Sequence, residues 1–382
     1  MLFTVPIFYS QLQIGSPNMR NQQWDCYAVF GVLLLSMLIR SIWVSSFLLL
    51  SLGHFFFFQN PFSETHLFQT VISSFVFYVF STYEIKSYKL CLFSLLLINM
   101  VMAVTQHFQA DVYTWMTWSE NGMLGLPASL GMLSALVAPV ICLMNPFYAL
   151  LGVLGVFWSK STFCVLALVV SMCFMTFQRW KKHAVFLMFV PLVFVCFYPL
   201  MTKDHINQSS RRFPVWKMVV SKAFRSPFFG WGMGSFDQML FIEARKGFPE
   251  GEKRIYFQAK NVPENQDAIK KRFEQIDNQL GKGYTIERWD SPHSHYIDVF
   301  YGYGFIGMFL LIGFISELFS RLKSKDIWLD KECIALYASF VALLIVSSVH
   351  FPMSVAKLSV ICCALVGMLD RKSSLVALQG KG

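Results

Sequence analysis

Apolar runs of helix-spanning length follow one another along most of the chain, separated by short polar connections and by one long polar stretch at 201–296. An α-helix needs about 20 apolar residues to cross the hydrocarbon of a bilayer, with a working range of about 17–25. On that measure crossings are predicted near 24–39, 42–58, 67–83, 90–108, 122–144, 147–158, 162–177, 184–200, 297–315, 333–350 and 355–370. The run at 147–158 is too short to span untilted, and the polar Ser159, Lys160 and Ser161 beyond it point to a broken or tilted helix. The apolar start, Met1 to Tyr9, is read as part of a twelfth segment or as an interfacial stretch, since it lacks the charge and cleavage site of a signal peptide. The fold expected is therefore all-α: a polytopic transmembrane helix bundle of 11–12 spans, with short helices in its one large loop.

Composition removes the soluble alternatives. Of 382 residues, 55% are hydrophobic and only 14% charged, and the mean hydropathy is +0.50, too apolar for a soluble globular protein. The charges are also segregated. Residues 41–200 carry ten of them and the shorter stretch 201–296 carries 27, so two solvents are implied. Three parts follow: N-terminal transmembrane helices at 1–200, the large loop at 201–296, and C-terminal helices with a tail at 297–382. The nine cysteines fall in or beside apolar runs, where a thiol behaves as a small hydrophobe, and none lies in the loop. The loop therefore has no disulfide and no cysteine-based zinc site.

The net charge of +10 reads as basic residues holding connections in the cytoplasm, and nucleic acid is not an expected partner. Counted over short connections, one side collects Arg40, Lys86, Lys89, Arg179, Lys181, Lys182, Arg321, Lys323, Lys325, Lys331, Arg371, Lys372 and Lys381; the other has only Arg20, Lys160 and Lys357. The first side is assigned to the cytoplasm and the 201–296 loop to the outside.

Within the loop, 211–224 reads as a helix, with Phe213, Trp216, Val219, Val220 and Phe224 at helical spacing and Pro214 in its first turn. Arg211 and Arg212 sit at its N-terminal end, where a bare helix disfavours cations. An anion held there would reverse that balance; pairing with Asp204, or plain solvation, is the simpler explanation. Gly230, Gly232 and Gly234 alternate after Pro227, but no strand precedes them and the dinucleotide fingerprint is incomplete, so a tight, closely approached turn is expected rather than a phosphate loop. A second amphipathic helix is predicted at 265–280, with Ile269, Phe273, Ile276 and Leu280 on one face. The loop ends on Arg288, His293, His295 and Tyr296, directly before an apolar run. Two histidines alone do not make a metal site; a neutral imidazole there can take a proton from a hydroxyl, or the pair can be ordinary surface residues.

Two pieces of the loop together resemble the signature region of the O-antigen ligase and polymerase superfamily of bacterial membrane glycosyltransferases. The first runs from Arg212 through Trp216 to the PFFGWGMGSF turn; the second is HSHYIDVFYGYGFIGMF, similar to a family run of alternating histidines entering a glycine-containing helix. Upstream, Ser159 to Thr162 stands where the family has serine followed by arginine, with Lys160 in the arginine's place, and Tyr296 replaces the family's usual asparagine. A lysine keeps the charge but loses the bidentate fork.

The resemblance implies a GT-C-like, metal- and cofactor-independent glycosyltransferase of the inner membrane with a periplasmic loop. It would move a glycan from undecaprenyl diphosphate to an acceptor hydroxyl on lipid A core, a growing polysaccharide or a protein. Carried onto this sequence, His295 is the base and Arg212 the main diphosphate clamp. Arg211, Arg288 and Lys160 are auxiliary cations, His293 supports His295, and Trp216 belongs to the substrate-binding motif. The rival class is a transporter or lipid-linked glycan flippase, which would show charged or glycine-broken helices within the membrane.

Overall fold

In a computed structural model of the protein the described residues are 22–58, 63–107, 127–159, 161–177, 215–232, 235, 239–244, 255–258, 284–288, 294–350 and 356–379. The N-terminal helices are α1 (Gln22–Leu38), α2 (Ile42–Phe58), α3 (Ser63–Thr82), α4 (Tyr88–His107), α5 (Pro127–Ile141), α6 (Ala149–Trp158) and α7 (Thr162–Phe177). A short helix, α8, covers 215–223. Then come α9 (His295–Ser320), α10 (Lys325–Leu329), α11 (Lys331–Val349) and α12 (Ala356–Gln379). Each predicted crossing among the described residues is a helix, and the expected helical bundle is the architecture observed. The crossing at 184–200, the helix at 265–280 and the segment Met1–Tyr9 lie outside the described residues. By length and composition Tyr88–Thr105, His295–Lys323 and Lys331–Val349 can each cross a membrane, and Ile42–Phe58 and Thr162–Thr176 are among shorter apolar helices. The weak run at 147–158 begins with a 3-10 turn, Pro146–Tyr148, in which the Asn145 side chain accepts from the Phe147 amide.

The long polar stretch adds something its pattern did not reveal. Strands β1 (Met239–Ala244), β2 (Ile255–Gln258) and β3 (Tyr284–Arg288) form an antiparallel sheet in the order β2-β1-β3. Met239 pairs with Gln258 and Leu240 with Arg288. Their sequences, MLFIEA, IYFQ and YTIER, are rich in the β-branched and aromatic residues that suit a pleated surface.

Packing divides the chain into two units, one of residues 1–12, 72–211 and 313–382, the other of 13–71 and 212–312. In the first, α5 is the central element. Leu130, Leu133, Leu136, Val137, Val140 and Ile141 are all fully buried, as expected of a helix that is apolar on every face. It packs against α6, α7 and α11. Small residues allow the α5–α6 approach: a Cβ on Gly152 would fall 2.5 Å from that of Ala138, and one on Gly155 would overlap the Ser134 side chain.

One end of this unit is tied by ions. Lys372 meets Asp330 and Glu332 at 3.1 Å each, and Lys89 meets Glu332 at 2.9 Å. Arg321 forks between Asp370 at 2.7 Å and Glu317 at 2.9 Å, and it also donates to the Ser373 hydroxyl. Lys89, Arg321 and Lys372 belong to one side of the charge count, so connections assigned to one face do meet. Arg321→Ala leaves the mostly buried Asp370 carboxylate without its guanidinium. The variant is expected to lose on the order of 2 kcal/mol, read as a lower unfolding temperature in detergent, with Arg321→Lys recovering part of the loss because it lacks the fork.

Candidate functional site

The site is built in the second unit, where the two ends of the loop meet. Helix α8 turns Val215, Val219 and Ala223 inward at spacings of four, and these bury against Tyr301 of α9 with Trp231, Ile297 and Phe300 around them. The apolar stripe expected along 211–224 is therefore rotated: Val215 is buried in place of Phe224, which is 58% exposed. Phe224 instead stands edge-on to Phe300 and Phe305 at 5.5 and 6.2 Å, so aromatic contacts on the outer side replace core burial.

The turn after α8 is stitched into a break in α9. Gly304 has φ 64° and ψ −156°, which interrupts the helix. Backbone groups released there are taken up by residues 227–232. The Trp231 amide donates to Tyr301 O at 2.9 Å and the Gly232 amide to Gly302 O at 3.0 Å; the Phe305 amide donates to Pro227 O at 2.7 Å and the Ile306 amide to Phe228 O at 3.2 Å. The expectation of a closely approached turn holds, and the Trp231 and Gly232 amides are spent on helix carbonyls while the Gly230 amide is spent on Ser226 O. Gly230 (φ 70°) is packed so tightly that a Cβ would lie 2.5 Å from the Gly302 carbonyl.

His295 opens α9 behind the buried Ser294. Its Nδ1 is buried with no hydrogen-bond partner, while the residue as a whole is half-buried. Trp216 is half-buried on α8, whose inward face packs on α9, so the structure brings the elements carrying His295 and Trp216 together. Arg288 ends β3, where its backbone pairs with Leu240; its side chain, together with Arg211, Arg212, Lys160 and His293, lies outside the described residues.

Two further polar features, one at Lys222 and one joining Ser161 to His350, were not foreseen from sequence. Lys222 falls on the inward face of α8 and is only 8% exposed. Its ammonium lies 5.1 Å from the centre of the Trp231 ring, whose Nε1 donates back to Lys222 O at 3.0 Å. Burial, and secondarily the charge of Arg225, bring its pKa down to about 8. A lysine at helical spacing from Val215 and Val219 was the available signal. In the first unit, Ser161 Oγ lies 3.2 Å from Nε2 of the buried His350, at the start of α7. Nothing in the sequence joins residues that far apart.

Residues 147–312 match the model of the O-antigen ligase family, Wzy_C. The match takes in α6, α7, the loop and the broken start of α9, just under half of the chain. The resemblance read from the motifs holds over that stretch, which is O-antigen ligase-like and carried by a membrane protein. No curated protein matches the chain.

Proposed function

From the match to the O-antigen ligase family over residues 147–312, we propose that this protein is a glycosyltransferase of the inner membrane. It transfers a glycan from undecaprenyl diphosphate to an acceptor hydroxyl at a periplasmic site formed by the loop. The observation that carries the reading is the union of the two motif-bearing ends, 215–232 and 294–306, through the stitched break at Gly304. That union fixes His295 at the mouth of an apolar helix, where a lipid-anchored donor arrives from the bilayer and a glycan acceptor from water. His295 takes the acceptor hydroxyl proton through Nε2 as the oxygen attacks the sugar carbon. The bond to the diphosphate breaks, and Arg212, aided by Arg211, Arg288 and Lys160, offsets the charge that develops on the leaving phosphate.

A broken transmembrane helix is also a transporter feature, because unwound backbone can coordinate an ion or substrate. Here the Tyr301 and Gly302 carbonyls and the Phe305 and Ile306 amides are already bonded to 227–232, so that use of the break is not favoured.

The test is complementation of ligase-null and polymerase-null strains, with the glycan ladder read on gels. Wild-type protein is expected to restore one of the two phenotypes, and Arg212→Ala to restore neither while reaching the membrane in normal amount. Restoration of neither phenotype by wild-type protein, or full activity of Arg212→Ala, would refute the assignment.

A further inference from the structure

The second unit holds an ionisable residue that the reading above does not use. His54 lies on α2, four residues before its end at Phe58, and is 3% exposed. Neither of its ring nitrogens has a hydrogen-bond partner. Its ring is stacked 4.8 Å from Tyr303 and 4.9 Å from Phe58, and Phe47 closes on Tyr303 at 4.9 Å.

Beside it the hydroxyls are already engaged. Ser51 donates to Phe47 O at 2.9 Å, so the 3.2 Å contact between Ser51 Oγ and the Tyr303 hydroxyl is donated by tyrosine. The imidazole N–H is therefore the unused donor of this cluster. A buried imidazole with both nitrogens idle is costly in an apolar setting. Phenylalanine would fill the same space without that penalty, and the chain places phenylalanine at each of the next four positions, 55–58. Ionisable side chains inside membrane helices mark function by default.

The surroundings indicate what reaches it. Phe56 and Phe57 are exposed, at 55% and 87%, on an apolar helix, so this end of α2 faces lipid. A Cβ on Gly53 would meet nothing within 4 Å, which leaves the flank of the helix open one residue from His54. A ligand entering between aromatic walls from that side has an apolar chain and carries its polar group to the imidazole. Tyr303, against which His54 stacks, lies eight residues beyond His295 on α9, about 12 Å at the helical rise of 1.5 Å per residue. In a lipid-linked donor with its sugar carbon at His295, the phosphates lie on that membrane side.

We propose that His54 forms a phosphate contact for a polyprenyl diphosphate, donating its imidazole N–H to a phosphate oxygen. This assignment rests on the donor reading given under Proposed function. His54 lies outside the family-matched stretch and is a binding residue, so its loss acts on donor affinity rather than on proton removal.

The experiment measures binding of undecaprenyl diphosphate without glycan, and separately of phosphatidylglycerol, to the full chain in nanodiscs by native mass spectrometry. Unfolding temperature is read in parallel. His54→Phe keeps the ring stack and removes both nitrogens. It is expected to leave the unfolding temperature unchanged or raised, to weaken undecaprenyl diphosphate binding about tenfold, and to leave phosphatidylglycerol binding unaltered. His54→Gln, which regains an N–H donor, recovers part of the affinity. Tyr303→Phe, which removes only a hydroxyl already engaged with Ser51, is the second variant and is expected to leave binding unaltered.

Equal undecaprenyl diphosphate affinity in wild type and His54→Phe overturns the contact while the donor reading stands. Parallel loss of both lipids reassigns the site to phospholipid and overturns it for the donor. Absence of undecaprenyl diphosphate binding in wild type removes the donor reading itself. A fall in unfolding temperature with unchanged affinity makes His54 a packing residue and overturns the proposal.

Discussion

Gly304→Ala is expected to abolish accumulation of folded protein. The backbone at 304, with φ 64° and ψ −156°, occupies a region open essentially to glycine alone. A Cβ there would lie 2.5 Å from both the Phe228 carbonyl carbon and Pro227 O. Those are backbone atoms held by the same hydrogen bonds that stitch the turn to the helix, so they cannot move aside without loss of the Phe305 and Ile306 bonds. Strain of about 1–3 kcal/mol and two lost bonds of about 1 kcal/mol each together reach about 3–5 kcal/mol, the low end of the about 5–15 kcal/mol that holds a typical domain folded. Gly302→Ala is the matched control: it lies two residues away, where a Cβ would meet Gly232 O at an ordinary 3.6 Å. Detergent-solubilised protein analysed by fluorescence-detected size exclusion should show a monodisperse peak for Gly302→Ala and none for Gly304→Ala. A normal peak for Gly304→Ala would mean that the break is not required by the fold.

His295→Ala is expected to lower kcat for glycan transfer by about 10²–10⁴, the usual contribution of a positioned general base. Donor KM should stay within about threefold, because the phosphate contacts are assigned to other side chains. The protein should still fold, since Nδ1 of His295 makes no hydrogen bond that the fold would miss. The structure also sharpens the geometry. With Nδ1 buried, only Nε2 can meet the acceptor, so His295→Asn, whose amide is shorter, should be as inactive as alanine. A His295→Ala enzyme with kcat within a few-fold of wild type would transfer the base role elsewhere, His293 first.

Much of the helical framework was legible because hydrocarbon-length apolar runs leave little choice of structure. The runs read at 42–58 and 162–177 coincide with α2 and α7. Motif spacing likewise singled out Trp216 and His295, on elements that the structure packs together, since residues on each side of the loop could be recognised separately. Other features were hidden for identifiable reasons. The break at Gly304 depends on carbonyls of Pro227 and Phe228, and a glycine in an apolar run looks the same whether or not such partners exist. The rotation of α8 toward Val215 followed from which neighbours were available, as hydrophobicity is symmetric between Phe224 facing a core and Phe224 facing other aromatics. The strands at 239–244, 255–258 and 284–288 are short, and their pairing joins segments too far apart for local periodicity to register.

The amino-acid sequence by itself determined that this protein is a membrane helix bundle, where its polar loop lies, and which two motifs in that loop carry its likeness to O-antigen ligases. Those are properties of local composition and spacing, set by the free energy of moving apolar side chains and backbone out of water. Tertiary structure alone decided that the two motifs interlock through a broken helix, that Nδ1 of His295 is enclosed without a partner, and that Lys222 and His54 are buried. Each of these depends on which distant groups satisfy a hydrogen bond or exclude water, and chain order does not encode that locally.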